Sequence, residues 1–353
     1  MPAAGNGRRP CICRPDAALP SQRQLSGWST VPEVTPLPLS GYVVDVRYVG
    51  GVPTFVTGDG AVALGTAGRV VRPHAGGILA ATISADGKSL VTGGDDGKVM
   101  RTTADGESVA VAERGRKWID VVAAGPGGAV AFASGRTVVS IDGSGKTHEL
   151  ERPRAALGLA FFPKGLRLAI AGYNGAGLWF PGTAAPVQEL EWKGSHIAVT
   201  VSPDGASIVT SMQEMALHGW RLRDGQNMRM SGYPAKVKSM SWSVKGRYLA
   251  TSGAGVSVLW PFFHKDGPMG QRPLELGGRQ ELVTRVACHP SEEIAALGYD
   301  DGMILLSRFA DREEVLLARP NGSPISALAW SGNGLELAFG CESGAAGLID
   351  LTA

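Results

Sequence analysis

The stretch Ile83–Val99, "ISADGKSLVTGGDDGKV", holds two apolar runs separated by turn residues and then a second turn that starts a third run. Asp and Gly at 86–87 and again at 96–97 supply turn chemistry, because Asp accepts nearby backbone N–H bonds and Gly tolerates positive φ. A lone three-stranded meander cannot bury both its faces. The stretch must therefore pack against something else, and copies of itself are the first place to look.

The turn "SADG" at 84–87 returns as "SPDG" at 202–205. Looser versions are "FPKG" (162–165), "SVKG" (243–246), "HPSE" (289–292), "SGNG" (331–334), "GPGG" (125–128) and "VGGV" (49–52). Nine residues before the end of each turn a strand begins, at Val43, Ile78, Ile119, Ala156, His196, Val237, Val283 and Ile325. The spacings are 35, 41, 37, 40, 41, 46 and 42 residues. A period near 40 built from strands predicts sheets of four strands repeated around an axis.

The alternation within each unit agrees. In "ALAWS" (327–331), "SMSWS" (239–243) and "GLAFF" (158–162), Ala329, Ser241 and Ala160 sit between large apolar residues. A period of two sends large and small side chains to opposite faces of a strand. The next strand runs into small residues, as in "SLVTGG", "IAALGY" and "ELAFGC", which lets neighbouring sheets approach closely near an axis.

His74 to Thr103 resembles the WD40 repeat without a gap. The resemblance extends over residues 33–353 through the period and the turns, and by it the chain is similar to a WD40-repeat β-propeller of bacterial type. In that family a His before the first strand, a Ser/Thr on the second, an Asp in the next turn and a Trp on the third hydrogen-bond together. It assigns His74, Thr92 and Asp96 to the first three places, whereas Thr102 stands where the Trp would be. Asp59, Asp301, Trp179 and Trp260 are fragments of the same pattern in other units.

The expected fold is all-β: eight four-stranded blades, with seven as the alternative. The final unit has three strands before Ala353, and an extra strand-like piece, "EVTPLPLS" (33–40), precedes the first unit. Pairing the two would close the ring and remove exposed edges that template aggregation. Residues 1–32 are expected to be a disordered leader, and 33–353 a single, monomeric propeller domain.

Composition narrows the function. A net charge of +2 does not by itself point to nucleic acid or acidic lipid. The leader contains "RRP", which resembles part of a twin-arginine signal, but no apolar segment follows. No run of about 18 apolar residues suggests a membrane span, so a cytoplasmic location is expected. Cys11, Cys13, Cys288 and Cys341 make neither a disulfide framework nor a paired zinc set.

Catalytic motifs fare no better. "GSGKT" (143–147) ends like a phosphate-binding loop, but Ser140 occupies the place of the first Gly and a strand, not a helix, follows. A hairpin turn is the better reading. No Ser lies in a G-x-S-x-G elbow, and no close His pair suggests a metal. Adjacent Cys288 and His289 point to opposite faces of a strand. No catalytic residue, cofactor or metal is therefore assigned. "NGS" (321–323) would accept a glycan only in a secreted protein.

Function is then expected in the loops. In WD40 relatives the face bearing the fourth-to-first and second-to-third loops receives peptides or partner domains. Here those loops carry Arg116, Lys117, Trp118, Arg154, Trp192, His196, Lys236 and Arg279, and Trp and Arg are common interface anchors. The alternative is a solvated loop set, with Trp118 packed between blades; His196 is expected to be partly exposed. A non-catalytic scaffold for an unknown protein or peptide is favoured over an enzyme or ligand binder at the channel mouth. It is also favoured over a nucleic-acid platform on the basic loops.

Overall fold

The computed structural model describes residues 31–352. Most of the leader, with Cys11 and Cys13, lies outside the described residues. No α-helix occurs among those described; two single-turn 3-10 segments, Pro126–Gly128 and Val244–Gly246, occupy the repeated turns "GPGG" and "SVKG".

Each forty-residue unit folds as an antiparallel meander. Unit two runs Ile78–Ile83, Ser89–Gly94, Lys98–Thr103 and Ser108–Glu113, each strand paired with the next. Six of the expected first residues hold their places in the inner strands: Val43, Ile78, Ala156, His196, Val283 and Ile325. In units three and six the strand begins later, at Val121 and Met240, and Ile119 and Val237 are buried just ahead of it.

The ring closes as expected. Val34–Pro38 pairs antiparallel with Ala345–Asp350, from Val34 opposite Ile349 to Pro38 opposite Ala345. The strand from one end of the chain thus completes the sheet at the other, and Leu37 is buried there beside Leu348.

The count of separate sheets is seven, the alternative to eight. The strands form seven hydrogen-bonded sheets, six of four strands and one of six. The larger sheet joins units four and five through two long strands, Leu168–Trp179 and Gln188–Val201. Residues 168–172 pair with Ala156–Phe161, and 175–178 pair with 188–191. The second half of Gln188–Val201 then pairs with Ser207–Met212. Asn174, at φ 67°, marks the bend, and Tyr173 pairs with Ser195 there. No loop long enough to separate the two units intervenes, so eight repeat units are distributed over seven sheets.

The core lies between sheets. Ile294, Ile304 and Leu306 of unit seven pack with Ile325, Leu337, Phe339 and Ile349 of unit eight. The small residues of the second strands explain how closely the sheets meet. A Cβ on Gly93 would lie 2.6 Å from the Ile119 carbonyl oxygen, one on Gly298 2.6 Å from Ile325, and one on Gly340 2.3 Å from Val43. These glycines share one repeat position, and each abuts the start of the next unit's inner segment. Close-packed interiors leave no room for the extra carbon.

Candidate functional site

Antiparallel meanders put the fourth-to-first and second-to-third loops at one end of every sheet. The buried part of this end is built on threonines. Thr57, Thr92, Thr210 and Thr251 occupy one repeat position on the second strands of units one, two, five and six, and all are buried. Each finds a different partner.

In unit two, His74 Nδ1 lies 2.9 Å from Asp96 Oδ1 and His74 Nε2 lies 2.8 Å from Thr92 Oγ1. An ionised carboxylate only accepts, so Nδ1–H donates to Asp96 and the threonine hydroxyl donates to Nε2. The Ala75 and Lys98 amides also donate to Asp96. Burial raises the Asp96 carboxyl, but these hydrogen bonds outweigh it and hold the group below its ordinary value. Gly94 makes the space: a Cβ there would lie 2.3 Å from the His74 ring. Thr102, in the place of the family Trp, bonds Ser108 instead.

Unit six builds the same staple from other residues. The Tyr233 hydroxyl lies 2.7 Å from Thr251 Oγ1, and Trp260 Nε1 donates to Tyr233 at 2.6 Å. The sequence reading missed Tyr233, although its offset of four residues before Val237 equals that of His74 before Ile78. In unit one, Thr57 donates to Asp59 at 2.6 Å.

Unit five corrects one expectation. His196 is fully buried, at 0 % exposure, rather than partly exposed. Its Nδ1 lies 2.7 Å from Thr210 Oγ1, and its Nε2 donates to the Trp192 carbonyl at 3.0 Å. Trp192 is partly buried and stacks on His218, with centroids 3.8 Å apart. Burial holds both imidazoles below their ordinary value, His218 down to about 4. The two imidazoles are enclosed in the blade, whereas Trp192 keeps part of its surface accessible.

The remaining candidates separate clearly. Arg116, Lys117 and Lys236 are exposed. Trp118 is 65 % exposed and is not packed between blades. Arg154 lies over the Tyr173 ring, 4.9 Å from its centroid. Arg279 is engaged by Glu314 of the next unit at 2.6 Å. Arg114–Glu149 and Arg152–Glu189 repeat that brace between other neighbouring units.

The apolar part of this face was not anticipated. Among the described residues, nine large hydrophobic side chains are exposed, and six stand at this one end: Tyr42, Leu79, Trp118, Leu157, Tyr173 and Met215. Val70 and Val109 lie on outer strands, and Phe263 lies in a loop at the opposite end. A backbone device contributes. In six inner strands the register shifts immediately after the first residue, as between Ile78 and Ala80 and between Ala156 and Gly158. Such a bulge re-aims the unpaired residue, and Leu79 and Leu157 are two of those residues. Exposed Leu immediately after a strand-starting residue was the available signal.

The catalytic lures dissolve. "GSGKT" is the hairpin between Thr137–Ile141 and Thr147–Glu151, with Ser144 and Lys146 amides donating to Asp142. The Cys288 thiol is pushed up to about 12 by burial. His289 turns away to bond the Gly334 carbonyl at 3.0 Å. Among the described residues no three His, Cys, Asp or Glu side chains group as metal ligands, and no helix is long and apolar enough to cross a membrane.

Comparison with known proteins agrees with this architecture. Residues 65–100 match the family "WD domain, G-beta repeat", and residues 286–353 match "Anaphase-promoting complex subunit 4 WD40 domain". A search of the curated proteins returned no significant match. Among solved structures, the computationally designed Ika8 protein superposes with a TM-score of 0.73 at 19 % identity, covering 90 % of this chain and 99 % of that one. At that identity the likeness is one of fold.

Proposed function

Taking as premise that this chain is a WD40-repeat β-propeller, we propose that it is a protein-interaction scaffold whose partner docks on the face described above. One observation carries the reading: six of the nine exposed large hydrophobics cluster at one end of the ring. Scattered apolar residues need no explanation, but clustering on one face marks an interaction surface. Arg116, Lys117, Arg154 and Lys236 are interspersed with them, so the fitting partner is a peptide or domain with aromatic or aliphatic anchors flanked by acidic residues.

The test is capture from the native host, followed by mass spectrometry, with wild type and a Trp118→Ala, Leu157→Ala, Tyr173→Ala variant. Loss of specific proteins from the variant, with its circular dichroism unchanged, supports the reading. An unchanged set of captured proteins overturns it. Captured nucleic acid that dissociates steeply with salt would also overturn it, in favour of a phosphate-backbone platform.

A further inference from the structure

The wall of the central channel formed mainly by units one, six, seven and eight lines an open pocket of about 580 Å³. Its polar lining is unusual in what remains uncommitted. Ser326 donates to the Val43 carbonyl at 2.7 Å, Ser239 accepts from the Val286 amide at 3.1 Å, and Ser241 accepts from the Cys288 amide at 3.0 Å. Tyr48 donates to Glu336, and Trp330 Nε1 donates to the Ala287 carbonyl. The one carboxylate, Asp45, takes the Val46 amide and Arg47 Nε.

The donors left over are cationic. Arg47 uses Nε on Asp45 at 2.8 Å, and its two terminal nitrogens engage nothing among the described residues. Arg285 spends Nε on the Ser326 carbonyl and Nη1 on the Thr284 carbonyl, which fixes the guanidinium and leaves Nη2 without a hydrogen bond, while its charge also acts on the Asp45 carboxylate. Lys238 Nζ has no partner among the described residues. Three cations against one carboxylate leave this wall with an excess of two positive charges. The opposite lobe of the channel, of about 300 Å³ between units two, three, four and five, has no charged side chain in its lining.

We propose that Arg47, Lys238 and Arg285 bind a small dianionic oxyanion, a phosphate- or dicarboxylate-bearing molecule, in this half of the channel. Planar guanidinium groups match the paired oxygens of such ligands and form the stronger, charge-assisted hydrogen bonds. Arg285 is already oriented by two backbone carbonyls, so little of its freedom remains to be lost on binding. The site adjoins the docking face, since Lys238 lies in the fourth-to-first loop between Gln226–Met230 and Met240–Trp242, but the proposal does not rest on that reading.

Isothermal titration of the full chain with inorganic phosphate, and separately with succinate, tests the proposal and distinguishes the two ligand types. Saturable heat with either is expected, weakening at least about tenfold in Lys238→Gln and in Arg285→Gln. Lys238→Gln disturbs no hydrogen bond within the protein, so its effect reads binding rather than folding. Absence of saturable heat with both probes, or equal affinity in wild type and Lys238→Gln, overturns it.

Discussion

Val34 stands opposite Ile349 in the ladder that joins the two ends of the described chain. The neighbouring Leu37 is buried against Ala346 and Leu348 of the same closure. Pairing of this kind covers the edge of Ala345–Asp350 that would otherwise be bare. Leu37→Ala should lower unfolding free energy by about 2–3 kcal/mol, as for other buried leucines. Removing residues 1–38 should go further and expose the edge of Ala345–Asp350. Denaturant titration and light scattering would detect lost stability and concentration-dependent association. A truncated chain as stable and monodisperse as the full one would contradict the closure.

The His74 staple predicts a loss of similar size by another mechanism. His74→Ala leaves the buried Thr92 hydroxyl without its ring partner and should cost about 1–3 kcal/mol. Gly94→Ala keeps every polar group but drives a methyl into the imidazole, and overpacking of that kind also costs about 1–3 kcal/mol. The two effects should add less than fully, because His74→Ala removes the nearest contact of the new methyl, leaving that with Asp96 Oδ1 at 2.7 Å. A double-mutant cycle by chemical denaturation would check the coupling.

Much of this was legible in the sequence, and the reason is local encoding. Period-two alternation and Asp/Gly turns are written within a few residues of where they act, so the repeat and its seam can be read directly. The union of units four and five could not be read, because Gln188–Val201 runs from the last strand of one unit into the first strand of the next without the Asp-Gly signal found at 96–97. The burial of His196 and the stacking of Trp192 were missed for a different reason. The ring that covers part of Trp192 is His218, supplied from a later strand, and burial by a non-local partner leaves no mark in the local pattern. The cations of the channel were equally hidden, since Arg47, Lys238 and Arg285 meet only when the ring closes.

Acid should expose the buried histidines. His218 titrates near 4 in the fold and near 6.5 when unfolded. Below about pH 6.5 the unfolded chain takes up a proton that the folded chain refuses, so stability falls as pH drops towards 4 and then levels. Asp224 and Asp311, held down to about 2 by Arg221 and Arg308, lose their contribution only below the ordinary carboxylate range. Asp45, Asp120 and Glu293, raised by burial, act in the opposite sense. The decisive quantity is therefore the difference between wild type and His218→Gln. Between pH 7 and 4.5 the variant should lose less stability than wild type; parallel curves would show that His218 is not held neutral.

Trp118 and Trp192 provide the sharpest contrast, because the sequence offered both for the same role. Trp118 is 65 % exposed, whereas Trp192 stacks on His218 and accepts the His196 hydrogen bond through its carbonyl. Trp118→Ala removes a side chain that supports little of the fold, and should change unfolding free energy by no more than about 0.5 kcal/mol. Trp192→Ala strips a packed ring from the His218 face and should destabilise by about 3 kcal/mol. Binding should sort the other way: partner capture falls in Trp118→Ala, whereas refolded Trp192→Ala keeps whatever fraction of capture its folded population allows. Parallel denaturation and capture measurements on both variants decide the matter, and a stability loss in Trp118→Ala equal to that in Trp192→Ala would remove Trp118 from the docking face.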